Sequence, residues 1–190
     1  MALSIRTRAV FRAEIEAFGS KPPVHRHYNE TETARVDIAR AVDVPSEGLM
    51  TYATVNLNES RNVMDGREIP VEIFVVIAGE NTDMANALST CAFNMIKDHW
   101  LIAPGVVHED VLRMYPGLAP NLPNMFFVPP MDHQGLARIE TPEGNVHALQ
   151  ALPISIAETE FLYENGFEEL NGLFIEKDME YWNLNRSSLV

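Results

Sequence analysis

A chain of 190 residues with 46% apolar and 22% charged side chains is long enough to bury its own core, and its composition is that of a folded protein, not of a disordered one. Its net charge of −13, from 14 basic and 27 acidic residues, disfavours direct binding to nucleic acid, because an acidic surface repels phosphate backbones. A single cysteine, Cys91, excludes an intramolecular disulfide and a Cys-based zinc cluster.

No window approaches the roughly 18 apolar residues of a membrane span. Arg6, Arg8 and Arg12 interrupt the N-terminal apolar residues, so a signal peptide is not expected either. A reducing, cytoplasmic home is the expectation that follows. The charge is uneven: residues 1–40 hold seven basic and five acidic side chains, and the rest of the chain is strongly acidic. Such a surface would attract a basic partner. It would equally keep a protein soluble whatever it binds.

Residues 3–18 read as an amphipathic helix. Phe11, Ile15 and Phe18 share one face, Glu14 and Glu16 lie at its edge or outside, and Gly19 stands at the C-terminal cap. Pro22 and Pro23 then force an extended turn. Residues 34–42 suggest a half-buried strand, broken in parity by Arg40. Residues 48–57 alternate as a strand with one covered face. The polar run 58–68 is a loop with a turn at Asp65-Gly66. Residues 69–78 (IPVEIFVVIA) are the most apolar strand and belong in the centre of the sheet, with Pro70 near its start.

Asn81 or Thr82 caps the next helix, whose stripe runs Met84, Ala87, Leu88, Cys91, Ala92, Met95 and Ile96. Cys91 on that stripe reads as inert core and not as a nucleophile. Residues 103–123 are mostly loop, with a short helix at 109–115. A short strand covers 124–128, and strands 136–141 and 146–152 form a hairpin. Ser155 and Glu158 fit a capping box. Ile156, Thr159, Glu160 and Tyr163 follow it, then Asn165-Gly166, then a second short helix through Phe167, Leu170, Leu173 and Phe174. Strands come in groups and do not strictly alternate with helices. The expected class is α+β, a single domain over 1–190 with a mixed or antiparallel sheet flanked by helices.

The run VHALQALPISIAETEFLYENGFEELNGLF at 146–174 resembles the suppressor-of-fused domain. In that family a last strand meets an apolar-Pro-Ile junction, here Pro153-Ile154, then an acidic helix, a tight corner and a Leu-rich helix. The tail Trp182-Asn183-Leu184-Asn185-Arg186 resembles the closing segment, with Asn183 where an acid commonly stands. The likeness covers 24–190, with 1–20 an N-terminal helix ahead of it. It implies a short bacterial single-domain type, and such members are taken to be immunity proteins of polymorphic toxin systems. The expected function is therefore non-enzymatic protein binding that occludes a cognate, basic toxin. The alternatives are a regulatory protein that sequesters a linear peptide, or an enzyme on the same fold.

In the family's animal members a partner peptide pairs along a strand of the domain, and the corresponding region here is 52–65. Its candidate binding residues are Tyr52, Asn58, Glu59 and Asp65, against the alternative of an ordinary solvated loop. Trp100 and Trp182 are candidate anchors. His25 and His27 put two imidazoles on one face of an extended segment, but no third ligand is near in sequence, so neither a metal nor another cofactor is expected. His108-Glu109-Asp110 resembles an acid/base cluster. No glycine-rich phosphate loop, nucleophile elbow or His-Glu-x-x-His run occurs.

Overall fold

The computed structural model describes residues 3–190. Its order is α1 (Ile5–Phe18), β1 (Val24–Tyr28), β2 (Arg35–Val42), β3 (Leu49–Thr54), β4 (Val63–Met64), β5 (Arg67–Glu68), β6 (Val71–Ala78), α2 (Thr82–Asp98), β7 (Val107–His108), β8 (Asn124–Val128), β9 (Ile139–Thr141), β10 (Gly144–Ile154), α3 (Ile156–Asn165) and α4 (Phe167–Glu176). The main sheet runs β1-β2-β3-β6-β10-β8-β7, with β9 hydrogen-bonded beside β10, and β4 and β5 form a separate hairpin. β6 and β10 pair in parallel, His147 opposite Val71, and the other pairings are antiparallel. This is the α+β class that the grouping of strands implied. Among the described residues no helix is long and apolar enough to cross a membrane.

β6 lies between β3 and β10 and is buried up to Ile77, as its continuous apolar run demands. Its side chains alternate between two cores. Ile73, Val75 and Ile77 meet Met84, Leu88, Cys91 and Met95 of α2, while Phe74 and Val76 meet Val10 and Phe18 of α1. Phe126, Val128, Leu152 and Ile154 of β8 and β10 pack on Leu162, Leu170 and Phe174 of α3 and α4. Asn81 caps α2, its Oδ1 accepting the Asp83 amide at 2.9 Å. Cys91 is sealed in the α2 core, and burial pushes its thiol well above the usual range.

Five sequence expectations change. The buried face of α1 is Thr7, Val10, Glu14 and Phe18, whereas Phe11 and Ile15 are half-buried, so a carboxylate sits inside where an apolar stripe was expected. β3 is covered on both faces: Met50 and Tyr52 look toward α2, and Ala53 toward α1. The segment after Pro23 is a full edge strand, paired with β2 from Val24↔Ala39 to Tyr28↔Arg35. The 109–115 segment is a 3₁₀ turn, Leu112–Met114, beside the two-residue strand β7. The last strand does not stop at Leu152 but continues through Pro153, opposite Met125, to Ile154.

The Ser155–Glu158 capping box is present, with the Glu158 amide donating to Ser155 Oγ at 3.0 Å and the Ser155 amide to Glu158 Oε2 at 2.8 Å. Glu158 does more than cap. It also receives a two-pronged pair from Arg186, at 2.6 and 3.0 Å, and the Leu189 amide at 3.0 Å. Arg186 donates further to the Pro153 carbonyl at 3.0 Å. The C-terminal segment is thereby tied to the start of α3.

Candidate protein-binding surface

Between β3 and β6 the chain makes a 3₁₀ turn, Leu57–Glu59, over the buried carboxylate of Glu72. Glu72 accepts the Leu57 amide at 3.2 Å, the Asn58 amide at 3.0 Å, Asn58 Nδ2 at 2.6 Å and the Thr54 hydroxyl. A turn leaves backbone amides without partners, and one acceptor inside the core collects them. Burial raises the Glu72 pKa to about 7 against the pull of those donors.

Asn62 supplies a second anchor. Its Nδ2 donates to the Ile102 carbonyl at 2.8 Å, its Oδ1 accepts the Ile102 amide at 3.1 Å, and its own carbonyl accepts the Ile69 amide at 2.8 Å. Rooted on these two buried amides, the β4–β5 hairpin projects with every residue from Val63 to Glu68 exposed. Asp65 and Gly66 both hold positive φ, 51° and 75°, the requirement of a two-residue type I′ turn.

Strand β4 of the hairpin carries exposed apolar side chains on two sides. Val63 and Met64 are each 37% exposed. Met64 borders a groove of ≈ 310 Å³ lined by Ile69, Ile102, Pro104, Pro129 and Leu149. On the other side Val63 lines a hollow of ≈ 170 Å³ with His99 and Trp100, the latter 45% exposed. The Trp100 ring stands edge-on to His108 at 5.1 Å, and His108 to Phe127 at 4.9 Å. A partly exposed tryptophan that shares a hollow with Val63, Arg61, Asn62 and His99 is the kind of feature that anchors a protein contact.

The four residues proposed from sequence separate. Asp65 is at the hairpin tip. Glu59 is exposed at its root and accepts the Thr7 hydroxyl at 2.5 Å, tying α1 to the turn. Asn58 is buried and orients the root. Tyr52 is buried on the α2 side of β3, where its oxygen accepts the Asn81 amide at 3.2 Å, and it does not join the other three. Sequence reading passed over Val63 and Met64, whose alternation in so short a strand leaves no periodic signal. Of the two candidate anchors, Trp100 is exposed, whereas Trp182 is half-buried against Tyr181 at 4.7 Å and its carbonyl accepts the Ala78 amide.

The histidine and acid candidates do not converge. His108 turns inward to the Leu101 carbonyl at 3.1 Å, and burial lowers its pKa to about 4, so the ring is neutral. Glu109 instead accepts the Tyr163 hydroxyl at 2.8 Å, and Asp110 pairs with Arg113 at 2.8 Å. His27 is half-buried on β1 and its pKa is lowered, first by burial and then by His25. Among the described residues no group of three or more His, Cys, Asp and Glu side chains is placed to hold a metal ion.

The family model for suppressor of fused protein matches residues 32–187. Immunity protein YqcF of Bacillus subtilis (strain 168) is 32% identical over 193 residues, covering 100% of each chain. Among solved structures, a suppressor of fused homolog from Neisseria gonorrhoeae FA 1090 superposes with a TM-score of 0.76 at 17% identity, over 97% of each chain. Drosophila Suppressor of Fused superposes with a TM-score of 0.69 at 12% identity, over 97% of this chain and 51% of that one. A Sufu–Fu complex also gives 0.69 at 12% identity, over 97% of this chain and 92% of the matched one. At such identities the structures establish a common fold.

Proposed function

Because the chain belongs to the suppressor of fused family, we propose that it is a non-enzymatic protein-binding module acting as an immunity protein, one that neutralises a cognate toxin by covering it. The full-length similarity to an immunity protein supports this reading. The observation that carries it is the β4–β5 hairpin, hydrogen-bonded at its buried root and carrying exposed Val63 and Met64 beside Trp100. Rigid presentation lowers the ordering cost of association, so a small surface can bind tightly. Asp65 and Glu59 border it, and the net charge of −13 favours a basic partner through faster encounter.

The test is co-purification with the product of the neighbouring gene, together with protection of cells that express that product. A complex that occludes the toxin supports the reading; no complex and no protection overturn it. A second reading, sequestration of a linear peptide, draws on β1, an edge strand whose outer side has no strand partner among the described residues and which an extended peptide would extend. Binding of a linear peptide without any toxin in the neighbourhood would favour it.

A further inference from the structure

The outward face of α3 departs from what solvent usually selects. Ile156, Glu160 and Tyr163 stand at i, i+4 and i+7 and so share one side of the helix. Glu158, Thr159 and Leu162 take the buried side. Ile156 is 47% exposed and Tyr163 62% exposed. A groove of ≈ 210 Å³ runs along the foot of this face, bounded by Glu109, Asp110 and Thr159. The one guanidinium at its edge, Arg113, is held by Asp110 at 2.8 Å. From Ile156 to Glu176 the chain carries no lysine or arginine, while Glu160, Glu164, Glu168, Glu169 and Glu176 are all exposed.

The Tyr163 hydroxyl donates to Glu109 at 2.8 Å, and the side chain stays 62% exposed beside the groove. An aromatic face ringed by carboxylates suits a lysine or arginine side chain, whose alkyl stem lies on the apolar surface while its charge meets the acids. Trp100 contacts His108, and Glu109 is the next residue in the chain.

We infer that the α3 face, with Tyr163 and Ile156 as apolar contacts and Glu109 and Glu160 as charge partners, docks a lysine- or arginine-rich segment of the partner protein. This rests on the reading given under Proposed function and specifies where the cationic part of that partner sits.

The experiment uses the full chain and the purified product of the adjacent gene, with affinity measured at about 50 and about 300 mM salt. Glu160→Lys and Tyr163→Ala are each expected to weaken binding about tenfold or more, while Tyr163→Phe, which keeps the ring, and Glu47→Lys, on the exposed β2–β3 loop, change it by less than about threefold. Glu160→Lys is also expected to flatten the salt dependence. All three positions are at the surface, and an unchanged melting midpoint checks that the four variants are folded. If the wild-type chain binds and both α3 variants bind as well as it does, the α3 face is overturned while the immunity reading stands. Equal weakening by Glu47→Lys overturns it too, since the effect is then general charge. No binding by the wild-type chain overturns the immunity reading and this inference together.

Discussion

Glu158 and Glu72 are both sealed from water, and their neighbours treat them differently. Glu158 is met by a guanidinium, so its charge is balanced inside the fold. Removing one partner of such a pair strands the other, and the cost is that of an unpaired buried charge. Arg186→Ala is therefore expected to destabilise the protein by roughly 3–5 kcal/mol in urea unfolding. Glu72 has donors but no cation, and burial leaves its pKa at about 7 against an ordinary 4.5. Its folded-state value is the higher one, so the protonated group's contribution to stability is complete below about pH 4.5 and is lost as pH rises through about 7. That difference is worth roughly 3 kcal/mol. Buried Glu14, raised well above its ordinary value by burial and by Glu72, acts in the same direction, while His108, lowered to about 4, acts in the opposite one. The measurement is consequently a difference, which also carries the part of the Glu14 shift that Glu72 causes. Unfolding free energies of the wild-type chain minus those of Glu72→Gln should fall between about pH 4.5 and 7 and level off above. A pH-independent difference would contradict this account of Glu72.

At the scale of elements, the β4–β5 hairpin and α3 each present apolar side chains to solvent. The hairpin is too short to be stable alone, and its shape depends on its root at Asn58 and Asn62 and on its turn. Gly66 holds φ 75°, which a β-branched residue resists. Gly66→Val is expected to cost about 1–2 kcal/mol locally. Because the tip packs on little else, the melting midpoint should move by only a few degrees while partner affinity drops, a split that calorimetry and titration would separate. A large loss of stability with unchanged affinity would mean that the hairpin serves the fold and not the contact. The start of α3 is a different case. Its capping glutamate also anchors the C-terminal segment, so the same residue sets the helix boundary and closes the edge of the α3–α4 core.

For the molecule as a whole, charge is the property with the longest reach. Fourteen basic against 27 acidic residues generate a field that draws in a cationic partner and that salt screens. The association rate with such a partner should fall on going from about 50 to about 500 mM salt, with a much smaller change in the dissociation rate, as stopped-flow mixing would read. A rate indifferent to salt would remove charge from the recognition mechanism. The two helical layers give this field a rigid body to act from: α2 and its core cover one face of the sheet, and α1 with the α3–α4 pair covers the other.

What the sequence determined by itself was local or periodic. The α2 stripe, the continuous apolar run of β6, the Asn81 and Ser155–Glu158 caps and the Asp65-Gly66 turn are all written within a few residues, and each appears where its pattern placed it. Family membership was legible in the order of such elements. What only the tertiary structure decided depended on partners far apart in the chain. Glu14 and Glu72 lie inside because two layers close over them. Arg186 finds Glu158 across 28 residues, and Asn62 finds Ile102 across 40. β1 and β7 exist because a neighbouring strand offers them a ladder, which local propensity cannot foresee. The proposed binding surface belongs to the same class. Whether Tyr52, Trp100, Met64 or Tyr163 meets solvent depends on which face the packing covers, and that choice is made by residues far away in sequence.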